Sequence, residues 1–273
     1  MIKNRENNMS LLSEIKETRT PFGTAAAWWL GQMVLIVKMG ETVVCIDYFA
    51  SPDSERRTPP VVPVEEVEGI TAFLGTHDHL DHIDHEAWKI WARNCPDSKF
   101  VFPRAHKAKI LADGISEHNA LGMNDGESLQ IGDITIHAVA ASHEFLDQDQ
   151  ETGLFPYLQY VLEGNGVRIH HAGDTVRYEG MLAKIRAFGP IDAQLLPING
   201  RDAVRYRRNC IGNMTYQEAA DFAFESGARL VIPGHFDMFE NNSENPGLFA
   251  DYLEAKYKEN ITCKIPIAGK RII

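Results

Sequence analysis

The chain has 273 residues, of which 44% are hydrophobic and 24% are charged, and its formal net charge is −11 at pH 7. This composition is typical of a globular protein and the length provides one large hydrophobic core, so we expect a single domain over residues 1–273. The acidic balance argues against a nucleic-acid-binding protein, because phosphate backbones are bound by basic surfaces.

The first 20 residues are polar and charged, with one apolar patch at 11–15, and we interpret them as an N-terminal helix or arm. They contain no secretory signal, and no apolar run in the chain reaches the roughly 20 residues that span a bilayer. The four cysteines are isolated and form no C-x-x-C pair, which is typical of free thiols in a reducing compartment. We therefore expect a cytoplasmic protein without a membrane partner.

Three apolar strands are predicted next, at residues 25–30, 34–38 and 42–47. A glycine-containing dipeptide separates each strand from the next, and such short connections favour an antiparallel meander. Asp47 ends the third strand. A carboxylate at this point can orient a metal-binding histidine through the second ring nitrogen, and a simple turn residue is the alternative.

A cluster of histidines and aspartates follows the next predicted strand, at residues 70–75. Residues 76–85 contain four histidines and three aspartates, and residues 77–82 have the spacing H-x-H-x-D-H. Imidazole is the commonest metal-binding side chain, and carboxylates accompany it at hydrolytic sites. The spacing therefore indicates a metal site in a loop at the carboxyl end of a buried strand.

Beyond this cluster, predicted helices and strands alternate. The helices cover residues 86–94, 105–113, 181–188, 215–226 and 247–258, and the strands cover 99–103, 127–141 as a hairpin, 157–163, 167–171, 193–197, 229–233 and a short segment near 265. Thr215 and Glu218 have the spacing of a capping box. Residues 198–213 are predicted to form a long loop.

Several of the predicted strands end just before a histidine or an aspartate. We expect these strand ends to meet on one face of the sheets and to gather ligands. A divalent cation at a hydrolytic site needs about three protein ligands and one open position. Seven side chains are available, enough for two cations with one bridging carboxylate: His77, His79, Asp81, His82, His143, Asp174 and His235.

The order and spacing of these motifs resemble the metallo-β-lactamase superfamily from about residue 28 to residue 235. The resemblance implies an α/β fold, namely a four-layer αββα sandwich with mixed sheets and the metals between them. The residue roles that it implies are His77, His79 and His143 for a first metal, Asp81, His82 and His235 for a second metal, Asp174 as the bridge and Asp47 as a support of the H-x-H-x-D-H loop.

Within the superfamily, residues 28–31, 76–79 and 82–84 resemble the L-ascorbate-6-phosphate lactonase branch. That branch implies manganese, whereas the ligands themselves suit manganese and zinc equally, with one or two ions per chain. It also implies a lactonase in which a metal-bound hydroxide attacks a phosphorylated sugar acid such as L-ascorbate 6-phosphate. Asp81 or Asp174 is then the catalytic carboxylate that orients the nucleophile and carries its proton.

Two alternatives use the same ligands. A phosphodiesterase acting on RNA or on a phospholipid head group fits the metal site, but the net acidity and the lack of an amphipathic membrane-binding segment argue against it. A non-catalytic protein that binds a metal or a ligand on a hydrolase scaffold is the second alternative. The complete ligand set argues against that one.

Residues 199–209 carry four arginines in an otherwise acidic protein. The planar guanidinium group suits phosphate and carboxylate, so we predict that Arg201 and Arg205 bind an anionic or phosphorylated small-molecule substrate. A solvated loop, or a contact between subunits of a homo-oligomer, is the alternative.

Overall fold

The structure, a computed structural model, describes residues 10–273 except for the side chain of Glu259. Two seven-stranded β-sheets pack face to face, and helices cover the outer face of each sheet. The predicted four-layer αββα sandwich is therefore confirmed. The first nine residues of the predicted N-terminal arm lie outside the described residues.

The strands are short, and both sheets are mixed. In chain order they are β1 (Ala26–Trp29), β2 (Leu35–Met39), β3 (Thr42–Ile46), β4 (Ala72–Leu74), β5 (Lys99–Pro103), β6 (Ala120–Met123), β7 (Ser128–Ile131), β8 (Ile134–Ala140), β9 (Leu158–Gly164), β10 (Val167–His171), β11 (Ala193–Pro197), β12 (Leu230–Gly234), β13 (Thr262–Cys263) and β14 (Lys270–Arg271). The first sheet has the order β14-β1-β2-β3-β4-β5-β6 and the second has the order β13-β12-β11-β10-β9-β8-β7. Strands β1, β2 and β3 form the predicted antiparallel meander, β3 to β6 run parallel, and so do β10 to β13.

Both faces of the central strands are buried, which explains their uninterrupted apolar sequences. Successive side chains of a strand point to opposite faces, so Trp29 lies in the core between the sheets while Trp28 packs in the layer between the first sheet and its helices. All five residues of β2 are buried for the same reason.

The helices form the two outer layers. In chain order they are α1 (Leu11–Glu17), α2 (His85–Asn94), α3 (Lys107–Ala112), α4 (Met181–Arg186), α5 (Ala203–Arg207), α6 (Tyr216–Ser226) and α7 (Pro246–Tyr257), with 3-10 turns at Val64–Glu66, Arg104–His106, Glu240–Asn242 and Lys258–Asn260. Helices α1 to α3 pack on the first sheet, and α4, α6 and α7 pack on the second. The capping box of α6 is present: the Glu218 backbone N–H donates to Thr215 Oγ1 at 3.2 Å, and the Thr215 N–H donates back to Glu218 Oε2 at 2.9 Å. None of the described helices combines the length and apolarity that a membrane crossing requires.

Three elements differ from the sequence-based expectation. The predicted loop at 198–213 contains α5, which begins after Asp202 because that carboxylate accepts two backbone N–H groups of the first turn. Strand β6 was not predicted. The predicted strand near residue 265 is wrong, because β13 and β14 lie on either side of it and join different sheets. Strands of two to four residues are defined by their partners rather than by their own pattern.

Candidate metal centre

The seven predicted ligands lie together at one edge of the sandwich. The carboxyl ends of β4, β8, β10 and β12 all reach this edge, and each is followed within a few residues by ligand side chains. The loop after β4 has to fold back sharply to bring several ligands inward. A Cβ on Gly75 would lie 2.2 Å from Cγ1 of Ile83, so this close approach requires glycine.

The ligand atoms form three overlapping groups, and within each group the atoms lie no more than 4.8 Å apart. The groups are His77, His79 and His143; His77, His82 and Asp174; and Asp81, His82 and His235. The first and third match the two predicted metal positions, and the second joins them through Asp174. No ligand in this predicted set is left outside the cluster.

Asp174 lies between the two outer groups. Its Oδ1 is 3.4 Å from Nε2 of His82, and its Oδ2 is 3.2 Å from Nε2 of His235 and 3.9 Å from Nε2 of His143. On the other side of His82, Oδ2 of Asp81 is 3.4 Å from the same Nε2 atom. Asp174 therefore contacts imidazoles of the first and third groups, as a bridging carboxylate requires, whereas Asp81 contacts His82 and His235 of the third group.

Asp47 holds the H-x-H-x-D-H loop from beneath. It is fully buried and adopts a left-handed backbone conformation with φ 54°, which aspartate tolerates better than most residues. Its Oδ1 accepts the backbone N–H of Thr76 at 2.8 Å, and its Oδ2 accepts the Thr76 hydroxyl at 2.7 Å. Oδ2 also lies 2.7 Å from Nδ1 of His82. Because a carboxylate only accepts, Nδ1 of His82 carries a hydrogen.

That tautomer tests whether the residues fit a metal. A neutral His82 with its hydrogen on Nδ1 directs a lone pair from Nε2 toward the Asp174 and Asp81 carboxylates. Nε2 of His82 and Oδ1 of Asp174 are both buried and have no hydrogen-bond partner among the described residues. A divalent cation between such facing acceptors satisfies all of them at once, so the residues present fit the metal.

The histidines of the first group are held neutral, which is the ligating form. Burial and the neighbouring imidazoles of His82 and His143 keep the pKa of His77 well below its ordinary value. Burial likewise lowers the pKa of His143 to about 4 and lowers the pKa of His79. Protons therefore compete little with a cation for these nitrogens near neutral pH.

The two histidines of the third group have the opposite electrostatics in the metal-free chain. Burial opposes the charged form of His82, but the carboxylates of Asp174, Asp81 and Asp47 outweigh it and raise the pKa of His82 well above its ordinary value. Asp174 and Asp81 also raise the pKa of His235 against the effect of burial. Without a cation, a proton on His82 or His235 supplies the positive charge that stabilises the neighbouring carboxylates.

Gln32 belongs to the site although no sequence motif indicated it. It lies in the turn between β1 and β2, is fully buried, and its Nε2 donates to Oδ2 of Asp81 at 2.9 Å. Its backbone carbonyl accepts the N–H of His235 at 3.0 Å, and its own N–H donates to Oδ1 of Asp237 at 2.8 Å. Gln32 and His235 both have positive φ, at 50° and 57°. The turn thus holds one ligand that follows β4 of its own sheet and one that follows β12 of the opposite sheet.

The histidine and the aspartates of residues 76–85 that are not predicted ligands support the loop. His85 begins α2, and its Nε2 lies 2.7 Å from Oδ1 of Asp78, while its Nδ1 contacts Asp113. Lys109 also contacts Asp78. The helix cap is Asp84 rather than His85, because Oδ1 of Asp84 accepts the N–H of the third helical residue.

The cluster opens into a cleft of about 280 Å³. His79, Asp81, His143, Asp174 and His235 line its floor. One wall comes from residues 209–211, which begin at the end of the loop that was predicted to bind substrate. The other comes from residues 239–242 after β12, which the sequence analysis did not assign to the site. The wall residues are Asn209, Cys210, Ile211, Phe239, Asn241 and Asn242. The opening is of the size that admits a small molecule.

Arg201 and Arg205 do not line this cleft. The Arg201 guanidinium forms a two-pronged ion pair with Glu218, with N–O distances of 2.6 and 2.7 Å. Arg205 donates to the carbonyl oxygens of Gly200 at 3.1 Å and of Ser243 at 3.2 Å. Both guanidinium groups are used in fixing the loop, so the geometry favours a structural role over the predicted substrate contacts.

Most of the sequence matches a known family model. A model described as the beta-lactamase superfamily domain matches residues 44–236, which include every predicted ligand. The chain belongs to the metallo-β-lactamase superfamily. Metal-dependent hydrolases are typical of this superfamily, and the αββα sandwich with its His and Asp clusters agrees with the assignment.

Individual members of the superfamily resemble the chain over most of its length. A probable L-ascorbate-6-phosphate lactonase, UlaG, of Salmonella heidelberg is 26% identical over 275 residues, which cover 86% of this chain and 76% of the relative. A metallo hydrolase of the archaeon Ignicoccus hospitalis has a TM-score of 0.71 at 19% identity, covering 91% of this chain and 98% of that one. An isothiocyanate hydrolase from Delia radicum gut bacteria has a TM-score of 0.71 at 17% identity, covering 92% and 99%. The two structural matches establish the shared metallo-β-lactamase fold.

Proposed function

We propose that this metallo-β-lactamase-fold hydrolase is a lactonase that opens the ring of a phosphorylated sugar acid such as L-ascorbate 6-phosphate. The observation that carries the proposal is the Asp174 carboxylate, which lies between His82 on one side and His235 and His143 on the other at the floor of a small cleft. The substrate class is supported by the 26% identical Salmonella heidelberg relative, which is named a probable lactonase of this kind.

We assign the predicted ligands to two metal sites. One cation would be held by His77, His79 and His143, and the other by Asp81, His82 and His235, with Asp174 available to both. Manganese and zinc both accept such imidazole and carboxylate ligands. When bound, divalent cations at this site supply a water that ionises near neutral pH and polarise a carbonyl oxygen.

The carboxylates of the chain handle the proton. The attacking water adds its oxygen to the lactone carbonyl carbon, the ring C–O bond breaks, and the products are an alcohol and a carboxylic acid, which ionises and releases the second proton of the water to solvent. Asp174 or Asp81 accepts the proton that the water loses and returns it to the leaving ring oxygen. Both residues line the cleft, and the Gln32 amide fixes the orientation of Asp81 by its 2.9 Å hydrogen bond.

Elemental analysis of the purified protein, combined with a substrate panel, tests this function. The panel contains phosphorylated and unphosphorylated sugar lactones together with bis(p-nitrophenyl) phosphate. We expect one or two divalent ions per chain and preferential hydrolysis of a phosphorylated lactone. Turnover of the phosphodiester without turnover of any lactone overturns the lactonase in favour of a phosphodiesterase, and bound metal without any turnover indicates a non-catalytic metal-binding protein.

Substitution of a single ligand tests the site itself. His79→Ala removes one of three imidazoles from the first group, so we expect loss of metal and a fall in kcat/KM of at least about 100-fold. The exposed His118, which lies outside the cluster, supplies the matched control His118→Ala. Full metal content and full hydrolysis in His79→Ala contradict the assignment.

A further inference from the structure

The rim of the metal cleft continues into a second, more open groove. Asn241 lines the cleft and also lines this outer groove of about 640 Å³. A smaller groove connects the two, since Cys210 lines it together with the cleft and Arg208 lines it together with the outer groove. A ligand seated at the metals therefore has a continuous path outward past Asn241 to Arg208.

The outer groove presents three arginines, of which one is committed to the framework. Arg56 donates to the carbonyl oxygens of Thr58 at 2.7 Å and of Phe49 at 3.1 Å, and its guanidinium lies 4.8 Å from the centre of the Phe49 ring. The backbone N–H of Arg57 donates to the carbonyl oxygen of Met238 at 2.8 Å. The wall that carries Arg57 is thus fixed by backbone contacts that do not use its side chain.

Arg57 and Arg208 are the two remaining arginines of the groove. Ion pairs in the described part of the chain engage Arg201 with Glu218 and Arg205 with Asp202, but none involves Arg57 or Arg208. Both residues are exposed, and they come from two segments that are distant in the sequence. Two guanidinium groups that are in no ion pair of the described residues thus line one groove, and such groups suit a doubly charged anion.

Glu55 and Glu240 line the same groove and restrict what it can bind. Two carboxylates beside two guanidinium groups disfavour a bare polyanion, because the acidic groups repel it. They accept hydrogen bonds from hydroxyl groups, however. The combination suits a ligand that carries both a phosphate and several hydroxyls.

We propose that Arg57 and Arg208 form an anion subsite beside the metal cleft, and that this subsite binds the phosphomonoester group of a polyhydroxylated substrate whose ester bond lies at the metals. The inference rests on the proposed function for the identity of the scissile bond only. This subsite takes the substrate-binding role that was predicted for Arg201 and Arg205, whose guanidinium groups are hydrogen-bonded within the protein.

The first test measures binding without hydrolysis. Glucose 6-phosphate, which carries a phosphomonoester and hydroxyls but no lactone, is titrated calorimetrically into the metal-loaded protein and into Arg57→Gln, Arg208→Gln and the double variant. Arg207→Gln is the matched control, since Arg207 is exposed in the same loop and lines none of the three grooves. We expect affinity to fall about 10-fold for each single variant and further for the double variant, with the control unchanged. Undetectable binding to the wild type, equal affinity in the double variant, or an equal loss in the control overturns the subsite.

The second test separates this inference from the proposed function. A sugar lactone and its phosphorylated form are compared as substrates of the same variants. We expect KM for the phosphorylated lactone to rise at least about 10-fold in the double variant with kcat within about twofold, and no change for the unphosphorylated lactone. A rise in KM for both lactones overturns phosphate recognition. If the wild type hydrolyses neither lactone, the lactonase proposal fails, while the calorimetric result decides the subsite independently.

Discussion

Nδ1 of His82 lies 2.7 Å from Oδ2 of Asp47, and this contact determines which nitrogen of the imidazole faces the cluster. In Asp47→Asn the amide nitrogen replaces one carboxylate oxygen, while the remaining oxygen is held by the backbone N–H of Thr76. The amide then donates to Nδ1, which moves the hydrogen of His82 to Nε2 and blocks that ligand atom. We expect metal affinity to fall about 10- to 100-fold with the fold retained, because asparagine tolerates the same positive φ.

Competition with a chromophoric chelator measures this change. Asp97→Asn is a suitable control, since Asp97 is exposed and outside the cluster. An unchanged metal affinity in Asp47→Asn would falsify the orienting role of the carboxylate.

Gln32→Met removes the amide that donates to Asp81 while keeping the length of the side chain. Oδ2 of Asp81 then loses its 2.9 Å hydrogen bond in a buried position. We expect weaker binding of the second metal and a fall in kcat of about 10-fold, with KM nearly unchanged, because the residue does not reach the cleft. Metal stoichiometry and steady-state kinetics measure both effects. A change confined to KM speaks against positioning.

Arg201→Ala distinguishes the structural from the substrate-binding interpretation of the arginine loop. The substitution breaks the ion pair with Glu218 and the hydrogen bond to the carbonyl oxygen of Asn213. We expect the free energy of unfolding to fall by about 1 kcal/mol, since the pair is partly exposed and solvent screens it. KM should stay within about twofold of the wild type. Denaturant unfolding and kinetics are measured on the same preparation, and a large rise in KM without loss of stability restores the substrate role.

His85 gives the stability a defined pH dependence. Burial opposes its charged form, but hydrogen bonds to Asp113 and Asp78 outweigh this and raise the pKa of His85 above its ordinary value. The protonated ring donates to both carboxylates, whereas the neutral ring can donate to only one. A raised folded-state pKa contributes stability that is fully present below the unfolded value of about 6.5 and is lost as pH rises through the folded-state pKa.

The comparison of wild type with His85→Gln isolates that contribution. We expect the wild type to be more stable by about 1 kcal/mol at pH 5.5, and the difference to shrink above the raised pKa. Unfolding is measured for both proteins in the same metal state. A difference that is constant from pH 5.5 to pH 9 contradicts the expectation.

The metal cluster could be predicted from the sequence because several of its ligands are close together in the chain. Spacing alone placed His77, His79, Asp81 and His82 in one loop, and the strand ends brought the distant ligands to the same edge, as the structure has them. Asp47 was predictable for the same reason, since a polar residue directly after a buried strand has few places to go. The meander and the capping box followed from periodicity, short connections and residue spacing. The sandwich was instead implied by the resemblance to the metallo-β-lactamase superfamily.

Other features of the site could not be predicted, because they depend on contacts between residues that are distant in the chain. Arg201 pairs with Glu218, a relationship set by how the loop after β11 folds onto α6 rather than by any pattern within the loop. Gln32 reaches Asp81 across 49 positions of sequence. The cleft walls around Asn241 likewise come from irregular loops whose course depends on tertiary packing.

Strand β14 closes the edge of the first sheet by pairing Trp28 with Arg271 and Trp29 with Lys270. Strand β1 therefore obtains its outer neighbour from a segment far along the chain, and this edge stays unpaired until that segment has been synthesised. Until then β1 presents an open edge with four apolar residues, the kind of surface on which nascent chains associate. Expression yield should accordingly be more sensitive to disruption of β14 than the exposure of its two residues suggests.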